Sequence, residues 1–292
     1  MEGISGLEDP HEMLAFARPY WRTGRARMTA DVAAAAEGLL AAGADEVVVL
    51  DNHASGNPVN ILAGELPDRA RLATWDVHEL ADRGVDAMLQ VGYHARAEID
   101  AFISHTYVPD LRLRVDGEPI SESHGRAWAA RVPLLGIAGN DRHAETLGAL
   151  TGTPYLVTQR TTGRAHREPA FPGPEEAAEA IRSFAAEALR AGGEVVPAPR
   201  AFEFGATVPA GSEIEQRMAE AGWEQRSEGE FAASLPDWPA SRPLLSGAMA
   251  AAFVPWMPYF TSFDLTSEHA VELVHDDPLL EEGRRAFDAW LA

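Results

Sequence analysis

Short continuous apolar runs alternate along the chain with longer stretches of helical periodicity. Residues 46–50 (EVVVL), 86–91 (DAMLQV), 132–137 (VPLLGI) and 154–157 (PYLV) each read as a strand covered on both faces. Residues 28–43 predict a helix with Thr29 near its start and Gly43 as its C-cap; residues 141–150 predict another between the last two strands. Strands separated by helices in this way imply an α/β fold, a mainly parallel sheet with crossover helices. Residues 111–115 (LRLRV) break the pattern. Their strict alternation, followed by Asp116-Gly117, predicts a solvated antiparallel hairpin grafted onto the sheet.

Past Arg160 the texture changes. A proline-rich joint spans residues 169–174, and Pro174 occupies the first turn of a long helix that ends near Gly192. Phe202-Glu203-Phe204 reads as a strand, and Ser212 with Glu215 as a capping box opening a further helix. The expected organisation is an α/β domain over residues 1–165, a smaller α+β domain over 166–235, and an aromatic-rich segment over 236–292. That segment carries Trp238, Trp256, Tyr259, Phe260 and Phe263 and closes in a helix around residues 279–291. Its aromatic cluster reads as core or subunit interface rather than as a substrate pocket.

At 292 residues the chain is long enough for one large domain or two modest ones. A formal charge of -21, spread along the sequence, argues against nucleic acid or an anionic membrane as partner. There is no cysteine, so disulfides and thiolate metal sites are excluded and any metal must be held by His, Asp or Glu. No apolar run approaches spanning length and the N-terminus shows no signal pattern, so a cytoplasmic protein is expected.

In open α/β sheets, ligands lie beyond the carboxyl ends of the strands. Those positions hold Asp51-Asn52-His53-Ala54-Ser55-Gly56-Asn57, Gly92-Tyr93-His94-Ala95-Arg96 and Gly139-Asn140-Asp141. The hairpin region adds Ser104-His105-Thr106 and Ser121-Glu122-Ser123-His124, and the glycine-flanked Glu2 belongs to the same edge if it follows a strand. Imidazoles and carboxylates together suit zinc or another divalent first-row metal. Their spacing is too wide for a helical His-x-x-x-His grip, so loop ends would have to build the site. Simpler roles stand beside this one. A lone histidine after a strand commonly packs or caps, Asp51 and Asn52 suit a turn, and Asp141 suits an N-cap as well as a ligand. His11, His78, His143, His166, His269 and His275 read as surface or structural.

Taken in order, Met1-Glu2-Gly3-Ile4-Ser5-Gly6, Asp51-Asn52-His53, Gly92-Tyr93-His94-Ala95-Arg96, Ser104-His105-Thr106 and Glu122 resemble the motifs of the D-aminopeptidase family, the dipeptide transport protein A-like zinc metallopeptidases. The resemblance covers residues 1–165 well and 166–235 loosely. It implies a two-zinc site in which Glu2 and His53 bind one ion, His94 and Glu122 bind the other, and His105 is the catalytic residue. It also implies a short-peptide substrate with N-terminal D-amino acids and a ring-shaped homodecamer. Two departures stand out. The family's bridging Asp, two residues ahead of the matching Glu, would precede Met1, so an upstream apolar strand ending in Asp is expected. The family lysine after the strand at residues 155–157 is replaced by Thr158 and Gln159. Two other functions stay open: the divergent aromatic-rich tail leaves room for a related metal-dependent amidohydrolase acting on a non-peptide amide, and the absent bridging Asp for a catalytically impaired binding homologue.

Overall fold

The computed structural model describes the chain except residues 1, 15–17, 54–58, 151 and 257–277. Its architecture is α/β, with three separately paired sheets and crossover helices. Strand β1 (Val47–Leu50) pairs in parallel with β2 (Ala70–Ala73). A second sheet runs β3 (Met88–Tyr93), β6 (Pro133–Asn140), β7 (Tyr155–Gly163), β8 (His166–Pro169), with β9 (Glu194–Val195) also pairing β6. β3, β6 and β7 are parallel, so their carboxyl ends share one edge. Each of the four apolar runs read from the sequence lies in one of β1, β3, β6 and β7.

Within these pairings β1 and β3 each keep one edge unpaired, and both line a cleft of about 810 Å³. Helix α1 (Arg18–Ala41) supplies part of its floor through Val32, Ala35 and Ala36. α1 is held against α4 (Pro174–Ala191) by small residues: Ala34 and Ala35 pack on Ile181 and Ala185. A Cβ at Gly38 would lie 2.1 Å from the Arg182 carbonyl oxygen, so only glycine lets the two backbones approach this closely. Glu37 and Arg182 close the exposed side of the contact at 2.7 Å.

The third sheet is antiparallel, in the order β11 (Glu224–Ser227), β12 (Glu230–Asp237), β10 (Arg200–Thr207), β4 (Arg112–Val115), β5 (Glu118–Pro119). It covers a core built on Leu113, Trp128, Phe202, Phe204, Trp223 and Trp238. Trp238 is buried there, 4.8 Å from the ring of Trp128. Helices α5 (Glu213–Glu220), α6 (Arg242–Phe253) and α7 (Pro278–Leu291) complete the C-terminal part. Tyr259, Phe260 and Phe263 lie outside the described residues.

Several local expectations change. α1 begins at least ten residues before the expected start, at Arg18, because an arginine-rich turn continues the helix without an apolar stripe to mark it. Thr29 is therefore interior; its hydroxyl donates to the Arg25 carbonyl at 2.9 Å and accepts from the Leu62 amide at 3.0 Å. The helix expected over 141–150 shortens to α3 (Asp141–Ala144) and a later turn, Gly148–Leu150. The hairpin forms through Asp116 (φ 51) and Gly117 (φ 80), as an Asp-Gly turn should. It is not grafted onto the parallel sheet. β4 pairs with β10, and Leu113 is buried in the third sheet's core.

Candidate metal centre

The chain's first described residues form no strand, yet they are tightly held. Glu2, Gly3, Ile4 and Leu7 are buried, and the Gly3 amide donates to the Gly92 carbonyl at 3.1 Å, at the end of β3. From β7, the Thr158 hydroxyl donates to the Gly3 carbonyl, and the Gln159 amide donates to the carbonyls of Glu2 and, at 3.1 Å, Ile4. Asp31 of α1 accepts from the Ser5 amide at 2.7 Å and the Ser5 hydroxyl at 2.6 Å. These contacts present the Glu2 carboxylate at the sheet's carboxyl edge.

Four further side chains meet it. His53 follows β1, and its Nδ1 lies 3.4 Å from Glu2 Oε1. His94 follows β3, with Nε2 at 4.0 Å from Glu2 Oε2 and 3.6 Å from Glu122 Oε1. His105 Nε2 lies 3.7 Å from Glu2 Oε1 and 3.9 Å from Glu122 Oε1, and its ring stacks on His94 at 4.2 Å. Glu122 opens α2 (Glu122–Ala130), and its Oε1 also accepts the Tyr107 amide at 2.7 Å. The most compact grouping is Glu2, His94 and His105, whose ligand atoms lie within 4.8 Å of one another.

Each imidazole is fixed by a backbone carbonyl on its far side. His53 Nε2 meets the Met13 carbonyl at 2.8 Å, His94 Nδ1 that of Ala95 at 2.9 Å, and His105 Nδ1 that of Ile103 at 3.1 Å. A carbonyl can only accept, so these nitrogens carry the proton, and in the neutral rings the other nitrogen turns a lone pair toward Glu2 and Glu122. Lone pairs facing carboxylates repel unless a cation or a proton lies between them. Carbonyl-anchored imidazoles beside carboxylates are the donor set and the supporting shell that zinc uses.

Electrostatics follow the same geometry. Burial opposes ionisation of Glu122, but His94, His105 and Arg126 outweigh it and hold the carboxyl at about 2. Burial likewise opposes ionisation of Glu2, and the cationic groups facing it keep it well below the usual carboxylate range. Burial disfavours charge on His94 as well, yet Glu2 and Glu122 raise it. For His105, burial and then the neighbouring His94 push the ring down to about 4. A shared proton thus falls to His94, and His105 stays neutral.

The other candidates have different work. Asp51 holds the loop that carries His53, accepting the Asn60 amide at 2.6 Å and the His53 amide at 3.2 Å. Asn52 lines the cleft, while residues 54–58, including Ser55, Gly56 and Asn57, lie outside the described residues. Asn140 caps α3 through the His143 amide at 2.8 Å; Asp141 is the first helical residue and accepts the Thr161 amide at 2.9 Å. His143 is buried with its Nε2 2.8 Å from the Ser123 hydroxyl, and His124 is buried against Ser121. His11 pairs with Asp9 and Asp288, His78 is partly buried, and His166 is exposed. His269 and His275 lie outside the described residues. Thr158, Gln159, Tyr107 and Arg126 were not among the strand-end candidates. Arg126 had one usable signal, its place one helical turn after Glu122.

No curated protein matches the chain. Among solved structures, the zinc-dependent D-aminopeptidase DppA from Bacillus subtilis, described as a self-compartmentalizing protease, shares the fold with a TM-score of 0.71. The two are 23% identical, over 95% of this chain and 97% of that one. The profile of the D-aminopeptidase peptidases matches residues 1–221, and the chain belongs to that family.

Proposed function

We propose that the protein is a zinc-dependent aminopeptidase that releases N-terminal residues, D-amino acids in particular, from short peptides. The observation that carries this reading is the ring of carbonyl-anchored imidazoles whose free nitrogens converge on Glu2 and Glu122 at 3.4–4.0 Å. Family membership and the likeness to a zinc-dependent D-aminopeptidase support it. Glu2 and His53 would hold one ion, His94 and Glu122 another. Zinc held there would supply Lewis-acid chemistry, polarising a peptide carbonyl and lowering the pKa of a bound water toward neutrality.

The chain's own groups supply the rest. The Met13, Ala95 and Ile103 carbonyls fix the ring orientations, and the Tyr107 amide fixes Glu122. His105 is neutral, with its Nε2 facing the cluster, so it can take a proton there and return it to the departing amine. Burial of Glu2, His94 and Thr158 keeps bulk water from competing at the site. The likeness to a self-compartmentalizing protease also supports assembly of several copies of this chain.

The compactness of Glu2, His94 and His105 favours a second reading, in which one ion sits among these three and His105 is a ligand. The two readings separate on His105→Gln. Under the first, the variant keeps its zinc and loses turnover. Under the second, it loses zinc as well. The overall reading is tested by release of D-alanine from D-Ala-D-Ala, compared with the L,L isomer, before and after chelation and zinc restoration. Full activity in a metal-free preparation would refute it.

A further inference from the structure

The cleft that holds the five converging side chains is also lined by Arg126, a cation that helps keep Glu122 ionised without pairing with it. Arg126 lies one turn after Glu122 on α2, hence on the same helix face. It lines the 810 Å³ cleft together with Glu2, His53, His94, His105 and Glu122, and it also lines an adjoining pocket of about 170 Å³. Its Nε is buried without a hydrogen-bond partner. Among the described residues the Arg126 side chain forms no ion pair and no hydrogen bond; the guanidinium rests over the Tyr107 ring at 5.4 Å. The acid nearest on the pocket side is already taken, since Asp76 pairs with Arg242 at 2.8 Å.

Glu122 and Asp76 favour the charge of Arg126 from a distance, but its donors have no anion in hydrogen-bond contact, and its planar fork matches a carboxylate better than any other small anion except phosphate. On a chain with a net charge of -21, a cation inside the cleft also offsets the field that would repel an anionic substrate. In a dipeptide the free carboxylate lies one residue beyond the peptide bond, a separation that suits two side chains one helical turn apart. We propose that Arg126 binds the C-terminal carboxylate of the substrate and thereby selects dipeptides, whose carboxylate falls within its reach when the peptide bond lies at the Glu2–Glu122 cluster. This rests on the peptidase reading given above. Longer peptides and C-terminal amides lose the contact.

The test uses the zinc-loaded protein and a non-cleavable reduced-amide analogue of D-Ala-D-Ala, with its C-terminal carboxamide for comparison. Calorimetric binding is measured for wild type, Arg126→Met and Arg126→Lys, with zinc content determined on each. Wild type should bind the acid about 10- to 100-fold more tightly than the carboxamide, the range of a charge-assisted hydrogen bond. Arg126→Met should erase that preference without weakening the carboxamide, and Arg126→Lys should restore part of it. Equal binding of acid and carboxamide by wild type would overturn the proposal. So would an Arg126→Met variant that weakens both ligands alike or loses zinc, because Arg126 would then only support Glu122. If the acid is preferred but no peptide is hydrolysed, the carboxylate site stands and the peptidase reading falls. If dipeptides and their amides are hydrolysed at equal KM, the peptidase reading stands and the carboxylate site falls.

Discussion

Replacing Gly3 by alanine puts the most stringent demand on the way Glu2 is delivered. A Cβ at residue 3 would lie 1.8 Å from the Tyr93 carbonyl oxygen and 2.6 Å from its carbon. Both are backbone atoms at the end of β3, where Tyr93 pairs with Gly139, so the neighbour has little room to yield. Ordinary contact begins near 3.4 Å, and residue 3 must therefore retreat by about 1.6 Å. That movement breaks the hydrogen bond from the Gly3 N–H to the Gly92 carbonyl, worth about 1 kcal/mol, and adds roughly 1–3 kcal/mol of overpacking. The combined loss of about 2–4 kcal/mol corresponds to a fall in Tm of roughly 3–7 °C for a chain of this size. Glu2 must follow its neighbour, and a misplacement of about 1 Å costs on the order of 100-fold in rate. Zinc affinity is read by competition with a chromogenic chelator and stability by a thermal melt. Gly6→Ala is the control, since a Cβ there meets only the flexible Arg27 side chain at 3.3 Å. A Gly3→Ala protein with wild-type zinc affinity and Tm would refute the reasoning.

Burial pushes the Asp31 carboxyl from 3.8 up to about 6. Between those values the folded state keeps a proton that the unfolded state releases, so this residue's contribution to stability falls as pH rises from about 4 to 6, by roughly 3 kcal/mol. Asp31→Asn should therefore gain stability relative to wild type at about pH 7 compared with about pH 4; urea denaturation showing the same difference at both would contradict this. Trp238→Ala removes the ring that joins Trp128, Phe202 and Phe204 and should destabilise the third sheet by about 3–5 kcal/mol; a loss under 1 kcal/mol in chemical denaturation would place that core elsewhere.

The strands that carry His53 and His94 were legible because uninterrupted apolar runs bounded by glycine or polar residues have few other uses, and ligand positions follow from strand ends. Glu2 was legible as a sheet-edge carboxylate, although the structure holds it by hydrogen bonds from β7 and β3 rather than by a strand of its own. Thr158 and Gln159 were visible as departures from the family pattern. Their bonds to the Gly3, Glu2 and Ile4 carbonyls involve residues 155 positions or more away, beyond any local pattern. The pairing of β4 with β10 was hidden for the same reason: alternation in LRLRV shows that one face is covered and leaves the covering element unspecified. α6 was missed because its small apolar residues form no narrow stripe, and proline sits within its first turn.

The central claim is that Glu2, His53, His94 and Glu122 hold zinc. Anomalous diffraction at the zinc edge from crystals grown with the metal tests it most directly. The account predicts density within about 2.0–2.2 Å of His53 Nδ1 and His94 Nε2, with Glu2 and Glu122 completing the coordination. Zinc bound elsewhere, or a centre that stays empty while the crystals contain the metal, would contradict it.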